Sequence, residues 1–395
     1  MFILMRILLA NFHRLMKVNL TSESLITSAC AVSLTREVQT VLSPEVISTI
    51  KTTLPILSEK GAEITQHFYQ ILFKQHPELK NVFNLANQRN GHQSQALADA
   101  IFAYAKLIET PELLTPMVNR IGHKHVSLNI QPEHYPWVGE ALLIALSEKL
   151  GVPMEHEIIQ AWGEAYVALS EIFINTEGQL YEKGLKDSGW LGFRPFKITA
   201  IYSETPLIKS FYLRPADDRG LPIFKAGQYV GVRTNLNDHH YEEIRQYSLS
   251  DRPGTDYFRI TVKAEPGKPQ GIVSNHLHDK SKVGDEILIS IPCGDFVLPP
   301  TIERDVVLIS GGVGVTPMIS MAKDFLQRKN FQQLRFIQCA QDQNSQCFRN
   351  ELNTLTEDAR FRYFTAFMEG ADGDHNGYLN QEALDKFLPN FDADF

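Results

Sequence analysis

Three stretches of the sequence carry residue types that are suited to redox chemistry. Residues 120–126 hold His125, residues 245–248 read Arg-Gln-Tyr-Ser, and residues 311–317 form a glycine-rich run. An imidazole can bind iron, an arginine can bind a phosphate group, and glycines let the backbone approach a phosphate closely. Together they predict a short electron path from a nucleotide through a flavin to a metal.

His125 is distinguished from the other histidines by the face of the helix on which it lies. Val118, Ile121 and Leu128 share an apolar stripe with it at helical spacing. An imidazole held among apolar side chains stays neutral and can ligate iron. The pattern alone is equally consistent with an iron ligand and with a satisfied core histidine.

The Arg-Gln-Tyr-Ser stretch contains the groups that a flavin site needs. Arg245 offers a fixed cation for a phosphate, Tyr247 a ring to cover the isoalloxazine, and Ser248 a hydroxyl for its polar edge, with Gln246 between them. The alternative is an ordinary strand. Downstream, residues 271–274 precede a predicted helix whose free N–H groups suit a pyrophosphate.

The glycine-rich run follows a continuous apolar stretch at 306–310 and precedes a predicted helix at 318–325. This order predicts a buried strand, a phosphate-binding loop and a helix N-terminus, with Thr316 as the helix cap. The candidate nucleotide-binding residues are Gly312, Val313, Gly314, Val315, Thr316 and Pro317.

The elements that position these residues change character along the chain. Residues 42–182 follow a helical pattern that starts with Ser43 as N-cap, and 183–195 are rich in charge and glycine, which predicts a domain joint. Residues 196–299 predict an antiparallel β-barrel, and 300–395 an α/β domain with a parallel sheet. The predicted strands lie at 208–213, 228–232, 257–263, 286–291, 306–310, 334–339 and 361–366.

Composition narrows the function classes. The net charge of −8 over 395 residues argues against a nucleic-acid or anionic-membrane partner. The apolar run at residues 2–10 is too short for stable membrane insertion. The four cysteines show no paired spacing, which favours a reducing cytoplasm. We expect residues 1–41 to be a disordered extension or the product of a misassigned translation start, and the protein to be a monomer.

Residues 42–365 closely resemble the bacterial flavohaemoglobins, the nitric oxide dioxygenase family. The resemblance is carried by residues 62–73, 83–90, 123–125 and 161–166 and by the flavin and nucleotide motifs. It implies a globin domain, an FAD-binding barrel and an NAD(P)-binding domain. From residue 196 onward the chain also resembles the ferredoxin–NADP reductase superfamily, in which Tyr229 would pack against the flavin or its adenine.

The resemblance implies a role for further residues. His125 would be the proximal ligand of haem b, with Tyr135 and Glu177 on the same side of the haem. A carboxylate bonded to the imidazole N–H feeds electron density to iron. Tyr69 and Gln93 would form the polar distal pair, with Leu97 and Phe83 as apolar walls. Without the resemblance, Glu177 is an exposed acid at a helix end and Tyr69 a core tyrosine.

The activity implied is that of a nitric oxide dioxygenase. NADH or NADPH would reduce FAD, FAD would reduce the haem iron, and the oxygenated haem would convert NO to nitrate. One alternative is a gas-binding or sensing globin with a vestigial reductase half, and another is a plain flavin reductase. The family continues beyond Phe395 with two more strands, so we expect an incomplete nucleotide domain, an unpaired edge at 306–310 and poor reduction of the flavin by NADH.

Overall fold

The computed structural model describes residues 42–83, 91–217, 219–234, 241–267, 270–329, 331–370, 372–388 and 393–394. The predictions for residues 1–41 lie outside this part of the chain. The described chain forms two compact units. One comprises residues 42–79, 91–118 and 131–176, and the other 80–83, 119–130 and the chain from 177 onward.

The first unit is helical, as predicted. Ser43 caps the first helix by accepting a hydrogen bond from the N–H of Val46 at 3.3 Å, which confirms the predicted helix start. Gly61 lets two helices approach, because a Cβ there would lie 3.2 Å from that of Ala98. The helices are α1 (Pro44–Thr52), α2 (Leu54–Gln75), α3 (His92–Lys106), α4 (Thr115–Ser127), α5 (His134–Leu150) and α6 (Glu157–Ser188), of which α4 and α6 continue into the second unit.

The second unit contains the predicted antiparallel barrel. Its strands are β1 (Phe193–Thr205), β2 (Ile208–Pro215), β3 (Tyr229–Thr234), β4 (Glu243–Ser248), β5 (Phe258–Lys263) and β6 (Glu286–Ser290), in the order β4-β3-β6-β1-β2-β5. The two outer strands meet where Leu249 bridges Ile260 and the N–H of Ser250 donates to the carbonyl of Arg259 at 2.8 Å. This contact curls the sheet around an apolar core. Helix α7 (Ile272–Asp279) follows β5.

The second unit also contains the predicted parallel sheet, in the order β10-β9-β8-β7-β11. Two buried apolar clusters involve this sheet, one with α8 and α9 and the other with α10. The elements are β7 (Asp305–Gly311), α8 (Val315–Gln327), β8 (Leu334–Ala340), α9 (Arg349–Leu355), β9 (Phe361–Phe367), β10 (His375–Asn376), α10 (Gln381–Phe387) and β11 (Ala393–Asp394).

Two expectations need correction. The predicted joint at 183–195 is largely regular structure, since α6 continues to Ser188 and β1 begins at Phe193. Lys183 and Asp187 form an i,i+4 ion pair at 2.5 Å on this part of the helix, which supports it despite the glycine between them. The edge of β7 is also not wholly unpaired, because β11 pairs in parallel with its first two residues.

Candidate redox site

His125 and Glu177 lie together in the second unit, on α4 and α6. The Nδ1 of His125 donates to the Oε1 of Glu177 at 2.7 Å. The carboxylate is almost fully buried, with 4% of its side chain exposed, whereas 30% of the imidazole is exposed. The alternative of an exposed acid at a helix end is therefore wrong, since Glu177 is buried in the interior of α6. A carboxylate at this nitrogen makes the opposite nitrogen, Nε2, a stronger electron donor.

A second hydrogen bond ties α6 to the chain that follows α4. The hydroxyl of Tyr181, one turn after Glu177, donates to the carbonyl of Ile130 at 2.6 Å. Burial raises the pKa of Tyr181, and the charges of Glu177 and Cys293 raise it further, so the phenol stays protonated and keeps donating. The pair of His125 and Glu177 is thus held in place both by α6 and by the segment that follows α4.

Tyr135, the other residue expected on this side, belongs to the first unit. It lies near the start of α5, is 7% exposed, and its carbonyl accepts a hydrogen bond from the hydroxyl of Tyr166 at 2.7 Å. Close packing accompanies this bond, because a Cβ at Gly139 would lie 2.5 Å from the ring of Tyr166. The aromatic side chains and the glycine fix the start of α5.

The residues expected on the distal side, Tyr69 and Gln93, lie in the first unit on α2 and α3. Tyr69 is 6% exposed and its ring lies 4.8 Å from that of Phe68 and 5.8 Å from that of Phe73. Among the described residues, the amide oxygen of Gln93 is buried with no hydrogen-bond partner. A buried acceptor without a partner is costly unless a ligand satisfies it. Leu97 is half-buried on α3, and Phe83 belongs to the second unit.

The Arg-Gln-Tyr-Ser motif forms β4, and its pairing with β3 places Tyr229 directly opposite Ser248. Both Tyr229 and Tyr247 are partly buried against the barrel core. Burial raises the pKa of Tyr247, against a smaller opposing effect of Arg245. The strand register therefore brings together the five residues expected to bind the flavin: Tyr229, Arg245, Gln246, Tyr247 and Ser248.

Arg245 is held by its own strand. Its Nη1 donates to the carbonyl of Ile244 at 2.8 Å and lies 2.9 Å from the Oε2 of Glu243, an acid that is 3% exposed. The guanidinium is fixed by these contacts, while its remaining N–H groups can still bind a phosphate.

Sequence reasoning missed Ser127, the last residue of α4, which connects the helix of His125 to the flavin motif. It is fully buried, and its Oγ accepts a hydrogen bond from the Nε2 of Gln246 at 3.3 Å. Burial raises the pKa of Tyr229 overall, although the side chain of Ser127 acts to lower that pKa. On the neighbouring strand, a Cβ at Gly231 would lie 2.3 Å from the carbonyl oxygen of Ser127. A glycine inside a strand is a signal of such close approach.

The glycine-rich run lies between β7 and α8, as predicted. Gly312 has a φ of +52°, in the left-handed region that favours glycine, and a Cβ at Gly311, Gly312 or Gly314 would meet no atom within 4 Å. Open space above a helix N-terminus suits a phosphate group. The prediction that Thr316 caps α8 is wrong. The N-cap is Gly314, and the hydroxyl of Thr316 donates to the carbonyl of Val313 at 3.0 Å.

Comparisons with known proteins agree with this architecture. The family model described as Globin matches residues 66–172, and the one described as Oxidoreductase NAD-binding domain matches residues 308–395. A Flavohemoprotein of Bacillus cereus is 43% identical over 365 residues, covering 90% of each chain. That of Oceanobacillus iheyensis is 44% identical over 352 residues, covering 88% of this chain and 87% of the relative.

The fold also matches a solved structure. A flavohemoglobin from Malassezia yamatoensis with bound FAD and heme superimposes with a TM-score of 0.79 at 28% identity, covering 87% of this chain and 89% of that one. A globin domain followed by an antiparallel barrel and an α/β nucleotide-binding domain defines a fused globin–reductase, an oxidoreductase class. The chain belongs to the flavohemoprotein family.

Proposed function

We propose that this flavohemoprotein is a nitric oxide dioxygenase that carries haem b and FAD and takes electrons from NADH or NADPH. The observation that carries the proposal is the 2.7 Å hydrogen bond between His125 and the buried carboxylate of Glu177. In metal sites such a bond orients the histidine and strengthens it as a ligand. Strong donation to haem iron favours activation of O₂ over its reversible storage.

The donor set fits haem rather than an iron bound by protein ligands alone. Within the described residues, no group of three or more His, Cys, Asp and Glu side chains could hold a metal ion. A lone imidazole retains iron when a porphyrin supplies the other ligands. His125 would hold the iron through Nε2, since its Nδ1 is engaged by Glu177.

The flavin and nucleotide assignments rest on the second unit. Arg245 and Ser248 would hold the FAD, with Gln246 beside them, and Tyr229 and Tyr247 would cover its rings. The loop at Gly311–Gly314 and the first turn of α8 would hold the pyrophosphate of NAD(P)H. The flavohemoglobin of Malassezia yamatoensis has bound FAD and heme, which supports the same pair of cofactors here.

When bound, FAD and haem b supply hydride acceptance, one-electron transfer and the binding of O₂. The protein positions these cofactors and sets the protonation of the groups around them. Glu177 accepts the N–H of His125 at Nδ1, so that Nε2 carries the lone pair with which an imidazole ligates a metal. The phenol of Tyr69 and the amide of Gln93 would stabilise negative charge that develops on the distal side. The buried rings at 229 and 247 would exclude water from the flavin.

The proposal predicts a defined stoichiometry. Converting two NO and two O₂ to two nitrate ions requires two electrons, which one NAD(P)H supplies. Purified protein should therefore form two nitrate ions for each NAD(P)H oxidised. Spectra of a bound gas with no NAD(P)H consumption would indicate a gas-binding globin, and NAD(P)H oxidation without nitrate a plain flavin reductase. Either result would overturn the proposal.

We also propose that the protein works in the cytoplasm. The three cysteines in the described part of the chain, Cys293, Cys339 and Cys347, are free thiols, which suits a reducing compartment. None of the described helices combines the length and apolar character needed to cross a bilayer.

A further inference from the structure

Four charged side chains form a closed ring between the barrel and the nucleotide-binding sheet. Going round the ring, Asp251 pairs with Lys323, Lys323 with Glu351 at 2.5 Å, Glu351 with Arg259 at 3.0 Å, and Arg259 lies 3.9 Å from Asp251. Two members come from the barrel and two from helices α8 and α9. The two positive and two negative charges cancel, as burial requires.

The members of the ring are held from several directions. Asp251 and Arg259 are 3% exposed. The Oδ2 of Asp251 accepts a hydrogen bond from the hydroxyl of Tyr257 at 2.8 Å. Burial acts to raise the pKa of Asp251, but the charges of Arg259 and Lys323 outweigh it, so the pKa is lowered and the carboxylate is ionised at neutral pH.

A further contact joins the same two elements through the backbone. The hydroxyl of Ser320, which is fully buried on α8, donates to the carbonyl of Asp251 at 2.7 Å. Asp251 follows the last residue of the flavin motif by three positions, and Ser320 follows the glycine-rich loop by six. The strand that carries the flavin motif and the helix that begins at the phosphate loop are thus fixed to each other close to both sites.

We propose that Lys323 and Ser320, acting through Asp251, are positioning residues that set the nicotinamide against the flavin for hydride transfer. This inference rests on the proposed function. Neither residue is assigned to contact a cofactor. Each acts by holding α8 in a fixed position relative to the flavin motif on β4. A displacement of about 1 Å between reacting groups can lower a rate by up to about 100-fold.

The test is stopped-flow reduction of the bound flavin by NADH in the Lys323→Met protein, which keeps the aliphatic stem and loses the charge. We expect the rate constant at saturating NADH to fall about tenfold. The FAD content and the dissociation constant for NADH should stay within about twofold of the unchanged protein, because the ring does not belong to either assigned binding site. A primary isotope effect with deuterated NADH should persist, which locates the loss in hydride transfer.

Matched variants separate positioning from general stability. Lys329→Met makes the same chemical change at an exposed site just beyond α8, and it should leave the rate unchanged. Lys323→Arg should recover most of the rate, because it keeps the charge. Ser320→Ala should also slow the reduction of the flavin, and it provides the test if Lys323→Met fails to retain FAD. In a double variant of Asp251→Asn with Lys323→Met, the activation free energy of flavin reduction should rise by less than the sum of its rises in the two single variants.

The outcomes are distinguishable. If the unchanged protein reduces its flavin with NADH and both Lys323→Met and Ser320→Ala do so at the same rate, the positioning role is wrong while the proposed function stands. A loss that Lys329→Met shares equally would also contradict it. If the unchanged protein binds FAD but neither NADH nor NADPH reduces it, the proposed function fails and the inference fails with it.

Discussion

The smallest unit on which the proposed chemistry depends is a single hydrogen bond. Glu177 is buried as an acid in α6, and burial of a lone carboxylate is unfavourable unless it is paired. The imidazole of His125 supplies the partner at 2.7 Å. The bond therefore serves both residues, since it satisfies the carboxylate and fixes which imidazole nitrogen can ligate a metal.

Replacing Glu177 by Gln should weaken this donation without removing the hydrogen-bonding group. We expect the haem reduction potential to rise, the iron–histidine stretch in the ferrous protein to move to lower frequency, and NO turnover to fall about tenfold. Resonance Raman spectroscopy and a redox titration measure the first two. Glu182→Gln, at an exposed position on the same helix, is the control and should change none of them. An unaltered stretch in Glu177→Gln would show that the carboxylate does not tune the ligand.

Gln93 allows a second prediction at the level of one residue. Its buried amide oxygen has no hydrogen-bond partner within the described structure, so it lowers the stability of the protein when no ligand is bound. Gln93→Leu should therefore stabilise the ligand-free protein by about 1 kcal/mol and weaken the retention of O₂. Urea unfolding and the O₂ dissociation rate measure the two effects. Stability that falls together with O₂ retention would mean that the amide has a structural partner.

At the level of elements, the decisive contact is between the end of α4 and strands β3 and β4. The carbonyl of Ser127 faces the α-carbon of Gly231, and its hydroxyl meets Gln246 of the flavin motif. His125 lies two residues before this contact. The helix that bears the proposed iron ligand is therefore positioned by the strands that bear the flavin motif.

Gly231→Ala tests that arrangement. Its new Cβ would lie 2.3 Å from a backbone oxygen and 3.2 Å from the Oγ of Ser290, and a backbone atom cannot move away cheaply. We expect a loss of about 1–3 kcal/mol in the free energy of unfolding. We also expect weaker retention of both FAD and haem, measured by their absorption bands. Gly220→Ala, where a Cβ meets no atom within 4 Å, is the control. Retention of both cofactors with unchanged stability would contradict the argument.

The elements show where sequence patterns succeed and where they fail. Period-two alternation predicted β5 within one residue, because Phe258, Ile260 and Val262 pack in the barrel core, although the polar residues between them are buried as well. Strand β1 was not among the predicted strands. It begins inside the predicted joint, where Phe193, Arg194 and Pro195 follow two glycines and show no clean alternation. Thr316 was misplaced as a cap because the helix begins at Val315, two residues earlier than a cap at Thr316 would require.

At the scale of the whole molecule, sequence patterns could not have revealed the four-charge ring. Lys323 lies 72 residues after Asp251, and Glu351 lies 28 residues after Lys323. Each of them, taken alone, is an ordinary charged residue. Such partners become neighbours only once the barrel and the parallel sheet have folded against each other. The pair of His125 and Glu177, 52 residues apart, was expected only because the family resemblance supplied the second member.

The proposed haem ligand and the flavin motif, both in the second unit, also predict how the activities separate. His125 contributes a ligand to the proposed haem site and is absent from the apolar core of the barrel, so His125→Ala should lose haem but keep FAD. We expect the Soret band to disappear, while NADH-driven reduction of ferricyanide stays within about twofold, because alanine preserves the helix and its contact at Ser127. His123→Ala, on the same helix, should keep the Soret band. If His125→Ala retained its Soret band, another residue would have to hold the iron; if it lost ferricyanide reduction, the flavin site would depend on the haem.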